Sequence, residues 1–177
     1  MRPILKRLEV GGANERREIV QDEWTYLDDA GAAGAAGAAV IVPFAEFRTN
    51  ITRWREYAGP LGVHLSPADA VEDLGEDVQR LSLVAASFPS AGEGRGYTQG
   101  RLLRSARFEF KGELRAVGAA VKQDLLFIMA RCGFDAFELA PGQKVDEALR
   151  AFDRYSVAYQ PAEPVASIEQ QRFFATG

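Results

Sequence analysis

Cysteine and histidine are almost absent from these 177 residues, with Cys132 and His64 the sole example of each. One thiol excludes an intrachain disulfide and any iron–sulfur cluster held by this chain's thiolates alone. One imidazole means that a Ser–His–Asp or Cys–His arrangement must run through His64, and a zinc site would have to be built largely from carboxylates. No metal is expected. Surplus positive charge is lacking too: 21 Lys and Arg against 25 Asp and Glu give a net charge of −4. That balance argues against a general nucleic-acid or anionic-membrane surface, so neither partner is expected. No apolar run approaches the ~18 residues of a transmembrane helix, and the opening MRPILKRLEV lacks the apolar stretch of a signal peptide. A cytoplasmic protein is the expectation.

What is present suits a globular domain with a real core: 47% hydrophobic and 26% charged residues. Residues 1–39 read as a polar N-terminal segment, with Trp24 and Tyr26 as docking side chains of a small β element, followed by a small-residue linker, GAAGAAGAA, over 31–39. Residues 40–160 form the α/β domain, and 161–177 a tail.

Within 40–160, strand-like runs alternate with helical periodicity. The strands are predicted over 40–44 (VIVPF), 63–65, 81–88 (LSLVAASF), 113–117 and 135–139 (DAFEL). Phe47, Ile51, Trp54 and Ala58 share one helical face, ended by Gly59 and Pro60. Ser66 and Pro67 resemble an N-cap with proline at the first helical position. Further helices start near Tyr97, run over 119–132 to a stop at Gly133, and carry Val145, Ala148, Leu149 and Phe152 on one face. This order predicts right-handed βαβ units: a mainly parallel sheet of four or five strands with flanking helices, as an open sheet or partial barrel. Ligand sites then belong at the carboxyl ends of the strands.

Three blocks stand in order: GRGYTQ at 94–99 with RLLR at 101–104, GELRAVG at 112–118, and RCGFDAFEL at 131–139. Together they resemble the bacterial domain-of-unknown-function family 934. The likeness continues through VIVPFAEF, DLGEDVQRL, LVAASFP and SVAYQ, from about residue 24 to residue 160. The family is often described as oxidoreductase, and its genes commonly lie beside those of assimilatory sulfite reductase and sulfate-activating enzymes. The resemblance therefore implies a role in sulfur assimilation, with sulfite reductase or another protein of that route as partner. The chain departs from the family at Gly100, where alanine is usual; a glycine inside a helix costs ~1 kcal/mol relative to alanine.

The glycines at 92, 94 and 96 follow a strand and open a helix. That setting reads first as a flexible turn and second as a loop whose N–H groups hold phosphate or sulfate. The candidate anion-binding residues there are Gly94, Arg95, Gly96, Tyr97, Gln99 and Arg101, since guanidinium forks suit an oxyanion. A solvated, salt-bridged helix face through Arg101 and Arg104 explains the same pattern. Glu138 alternates with Phe137 and Leu139 near a strand's carboxyl end and is the carboxylate to test first, although it equally suits an ion pair with Arg115. Cys132 and His64 read as structural, and Asp124 as at most an unusual general base.

No residue pattern names a cofactor. Three functions stay open: an accessory protein of sulfite reduction binding an oxyanion or redox partner, a flavin- or nicotinamide-dependent oxidoreductase of the same route, and a non-catalytic dimeric scaffold. The apolar run 125–129 exceeds what one core face buries, so a homodimer using Phe127 is expected.

Overall fold

A computed structural model of the chain describes residues 3–7, 17–27 and 37–154. The expected tail, and most of the small-residue linker, lie outside these residues. The strands are β1 (Pro3–Arg7), β2 (Arg17–Gln21), β3 (Thr25–Tyr26), β4 (Val40–Pro43), β5 (Leu61–Leu65), β6 (Leu83–Ser87), β7 (Glu113–Val117) and β8 (Ala136–Phe137). They form one sheet in the order β2-β1-β8-β7-β6-β5-β4-β3. From β3 to β8 every pairing is parallel, whereas β1 runs antiparallel to both β8 and β2.

The helices α1 (Phe44–Thr49), α2 (Ile51–Arg55), α3 (Arg95–Arg104), α4 (Leu126–Arg131) and α5 (Val145–Arg150), with 3-10 turns at Val71–Arg80, fill the connections. Val63, Val84, Leu114 and Phe137 pack with Phe47, Trp54, Leu103 and Met129 from the helices in one large apolar cluster. The alternate strand residues Ile41, Leu83, Ala85 and Val117 form a separate small cluster with Trp24 and Tyr26. Period-two alternation thus divides each strand between a helix-covered face and an inner face.

The sheet curls strongly. Only three residues separate Gln21, at the end of one outermost strand, from Thr25, at the start of the other. A flat eight-stranded sheet would hold those strands about 34 Å apart, while that link reaches at most about 14 Å. Register agrees. Tyr26 lies opposite Ile41, Pro43 is in line with His64, Ala85, Arg115 and Ala136, and the Tyr26 and Glu138 side chains touch. Contact between positions so staggered is the mark of tilted strands on a closing surface. The result is a half-barrel with helices outside.

The expected sheet of four or five mainly parallel strands is corrected to eight mixed strands. The additions come from the N-terminal segment, where β2 is only half-buried and reads as polar. They also come from β3, two residues long. The single helix expected from Phe47 to Ala58 is broken at Asn50. Ser66 does not cap a helix: its N–H donates to Asp69, and the 3-10 turns begin at Val71. The helix expected over 119–132 is regular only in α4.

Gly100 has a packing reason. A Cβ there would stand 2.5 Å from the Phe134 ring and 2.9 Å from the Cys132 carbonyl oxygen, so α3 approaches this region only with glycine. Gly118, at φ 118°, turns the chain out of β7 in a conformation an L side chain rarely adopts.

Candidate functional site

The inner face carries the polar groups. Deepest is Arg115 on β7, fully buried, donating from Nη1 to both Asp22 oxygens at 3.0 Å and from Nε to Glu113 at 2.8 Å. Lys6 of β1 reaches the other Glu113 oxygen at 2.7 Å. Burial works to lower the Arg115 pKa, but Glu113, Tyr26 and Asp22 outweigh it and hold the guanidinium above its ordinary value. These two cations and two carboxylates make a charge-balanced floor. Removing one member would strand a buried charge.

Towards the carboxyl ends lie Tyr26, His64, Ser87 and Glu138, each half-buried and each from a different part of the sheet. The Tyr26 hydroxyl donates to Glu138 Oε2 at 3.1 Å, joining positions 112 residues apart. His64 Nε2 and Ser87 Oγ share a 2.7 Å hydrogen bond, and the Tyr26 and His64 rings meet edge to face at 5.8 Å. Burial, then the Glu138 charge, pushes the Tyr26 phenol well above its ordinary pKa, against the opposing pull of Arg115. Burial holds His64 below the usual imidazole value, against Glu138 and Asp69, so its ring is neutral at neutral pH. The layer therefore offers one carboxylate, one phenol and a neutral imidazole beside a hydroxyl: groups that accept and pass protons.

The glycine loop is built differently. Gly94 and Arg95 are exposed, and Gly96 packs beneath the Phe88 ring. Glu93 already occupies the N-terminus of α3, accepting from the Arg95 backbone N–H at 3.1 Å and from Arg95 Nε at 3.0 Å. The backbone bond, with the Arg95 side chain, holds the Glu93 carboxyl below its usual pKa. Tyr97 packs edge to face on Phe88 at 5.0 Å, and burial raises its pKa. Gln99 is buried and donates to the Ser66 and Asp69 carbonyls, tying α3 to the turn after β5. Arg101 is exposed. Arg104 instead bridges Asp135 at 2.5 Å and three backbone carbonyls.

Of the residues singled out from the sequence, Arg115 and Glu138 thus belong to the inner face and the other six to the α3 region. Tyr26, Ser87 and Asp22 were not singled out as site residues. The signal at Tyr26 and Ser87 is faint, a polar side chain at an alternate, inward position of a strand, as at His64 between Val63 and Leu65, and Asp22, just past the end of β2, carries none. Cys132 is half-buried at the end of α4 and packs on the outer cluster. Among the described residues no group of three or more His, Cys, Asp and Glu is placed to hold a metal ion, and no helix is long and apolar enough to cross a membrane.

Fold and inner layer together define an α/β half-barrel with a polar carboxyl-end site. A family profile described as "Bacterial protein of unknown function (DUF934)" matches residues 62–167, more than half of the chain. The chain belongs to that family. No curated protein and no solved structure matches it.

Proposed function

We propose that this chain is an accessory protein of assimilatory sulfate and sulfite reduction that binds an oxyanion or a redox partner at the carboxyl ends of its parallel strands. Binding of a redox partner at that end rests on one observation, the convergence of Tyr26, His64, Ser87 and Glu138, and binding of an oxyanion on exposed Arg101 and the loop that opens α3. The pathway half rests on the family resemblance and the gene neighbourhood it implies. Reductase chemistry by this chain alone is disfavoured, because one Cys and one His do not supply a haem–cluster site.

Charge separates two subsites at this end. The inner layer carries the Glu138 carboxylate and repels an anion, so it suits a neutral or proton-donating group. The oxyanion is assigned to the α3 loop, where Arg101 supplies a guanidinium and Glu93 is the competitor to be displaced. Arg101→Ala should weaken sulfite or sulfate binding about tenfold to a hundredfold, the loss of a hydrogen bond to a charged group. Glu93→Gln should strengthen it. Isothermal titration reads both, and equal binding by all three proteins would remove the α3 subsite.

The acid–base groups of the inner layer favour a second reading, an oxidoreductase of the same route using a flavin or nicotinamide; a yellow purified protein would support it. The proposal also carries a homodimer through α4, where Ile128 is 48% exposed beside half-buried Phe127. A monomer at micromolar concentration by light scattering would overturn that part. For the pathway, a strain lacking the gene should fail on sulfate and sulfite but grow on sulfide and cysteine. Normal growth on all four sources would remove the chain from sulfite reduction.

A further inference from the structure

A cleft of about 290 Å³ opens at the opposite, amino-terminal end of the half-barrel. Its volume is close to the lower bound of ordinary ligand pockets, roughly 300–1,000 Å³. Trp24, just before β3, forms one wall, and Lys6 of β1 and Lys111, just before β7, bring two ammonium groups. Glu113 and Asp135 bring carboxylates, and Ser82 a hydroxyl.

The charges in the cleft are not equivalent. Glu113 is held by Lys6 and Arg115, and Asp135 by Arg104 and the Leu114 N–H, so both carboxylates are fixed and compensated. Lys111 is exposed and supplies the surplus positive charge. A half-buried indole offers a stacking surface for a flat ring, as aromatic side chains do in nucleic-acid sites. Fixed carboxylates accept from sugar hydroxyls or ring amino groups, as an acidic residue does in dinucleotide folds. Ammonium groups take a phosphate.

From this combination we propose that the amino-end cleft binds a nucleoside monophosphate, with its base on Trp24, its phosphate at Lys111 and Lys6, and its hydroxyls towards Glu113 and Asp135. This site lies beyond the carboxyl-end reading and does not depend on it.

AMP, adenosine and inorganic phosphate are the probes, titrated against the whole chain by calorimetry and by tryptophan emission. Trp54 is buried, so the emission change belongs to Trp24 and should vanish in Trp24→Phe while calorimetric binding persists. AMP should bind more tightly than either adenosine or phosphate. Lys111→Ala, an exposed and fold-neutral change, should weaken AMP about tenfold or more and leave adenosine unaffected. Arg48→Ala, an exposed change on α1 outside the cleft, should leave AMP binding unchanged. Absence of saturable AMP binding at millimolar concentration, phosphate binding as tight as AMP and equally weakened by Lys111→Ala, an unchanged Lys111→Ala affinity, or loss through Arg48→Ala would each overturn the assignment.

Discussion

Leu114 and Arg115 are consecutive in β7, both with no measurable exposure, and they face opposite sides of the sheet. Leu114 enters the large apolar cluster under the helices. Arg115 enters a four-charge floor on the inner face, with Tyr26, His64, Ser87 and Glu138 beyond it. The outer face is held by non-directional burial and tolerates apolar exchange. The inner face is held by directed pairs that fail when one member is lost. One strand thus serves packing with Leu114 and Ala116 and polar chemistry with Glu113 and Arg115.

The largest expected effects come from breaking each face at this point. Arg115→Ala leaves Asp22 and Glu113 buried without their cation and should destabilise by about 3–5 kcal/mol. Leu114→Ala should cost a similar or smaller ~2–5 kcal/mol by opening a cavity. Urea denaturation compares them. The sharper contrast is the quadruple change Lys6→Met, Asp22→Leu, Glu113→Leu and Arg115→Met, which removes all members of the floor together and strands none. It should recover most of the Arg115→Ala loss, whereas no second change at Asp22 or Glu113 should rescue Leu114→Ala.

Gly100→Ala comes next. Helix propensity alone predicts a gain of ~1 kcal/mol, but the added methyl would meet Phe134 and the Cys132 carbonyl. Overpacking of this kind typically costs ~1–3 kcal/mol, so the net sign should be destabilising; a raised melting temperature would refute the contact.

A smaller, pH-dependent effect separates the faces again. The Tyr26 phenol is held protonated by burial and by Glu138. Its folded-state pKa lies above the unfolded one, so this stability is complete below the ordinary phenol range and declines as pH rises through it. His64 has the opposite shift, so stability also falls as pH drops below the usual imidazole value, where the unfolded chain takes up a proton first. Tyr26→Phe should flatten the alkaline slope of the urea midpoint and leave the acidic one. Leu114→Ala should lower the midpoint at every pH without changing either slope.

The outer face was the legible one. Continuous apolar runs such as LSLVAASF, and helical spacing such as Val145, Ala148 and Leu149, report burial locally, and β4 to β8 formed where those patterns stand. Glu138 was legible by its alternation with Phe137 and Leu139. Its partner was not, because Tyr26 sits in a polar two-residue strand and meets Glu138 only through the curl of the whole sheet. Arg115 suits an ion pair with Glu138 by sequence, yet its guanidinium bonds Glu113 and Asp22, and Asp22 lies 93 residues away where no local spacing announces it. The glycine loop looked open to an anion; that Glu93 folds back onto Arg95 is a matter of side-chain geometry.

The account turns on whether the inner carboxyl-end layer acts in sulfite reduction or only holds the sheet together. Complementation of the gene-deletion strain by Glu138→Gln tests this most directly, since glutamine keeps the shape and can still accept from Tyr26. We predict a folded protein with a melting temperature close to that of the wild type that fails to restore growth on sulfate and sulfite while growth on sulfide persists. Full restoration of growth on sulfate and sulfite by Glu138→Gln would contradict the central claim and leave the layer a structural seam.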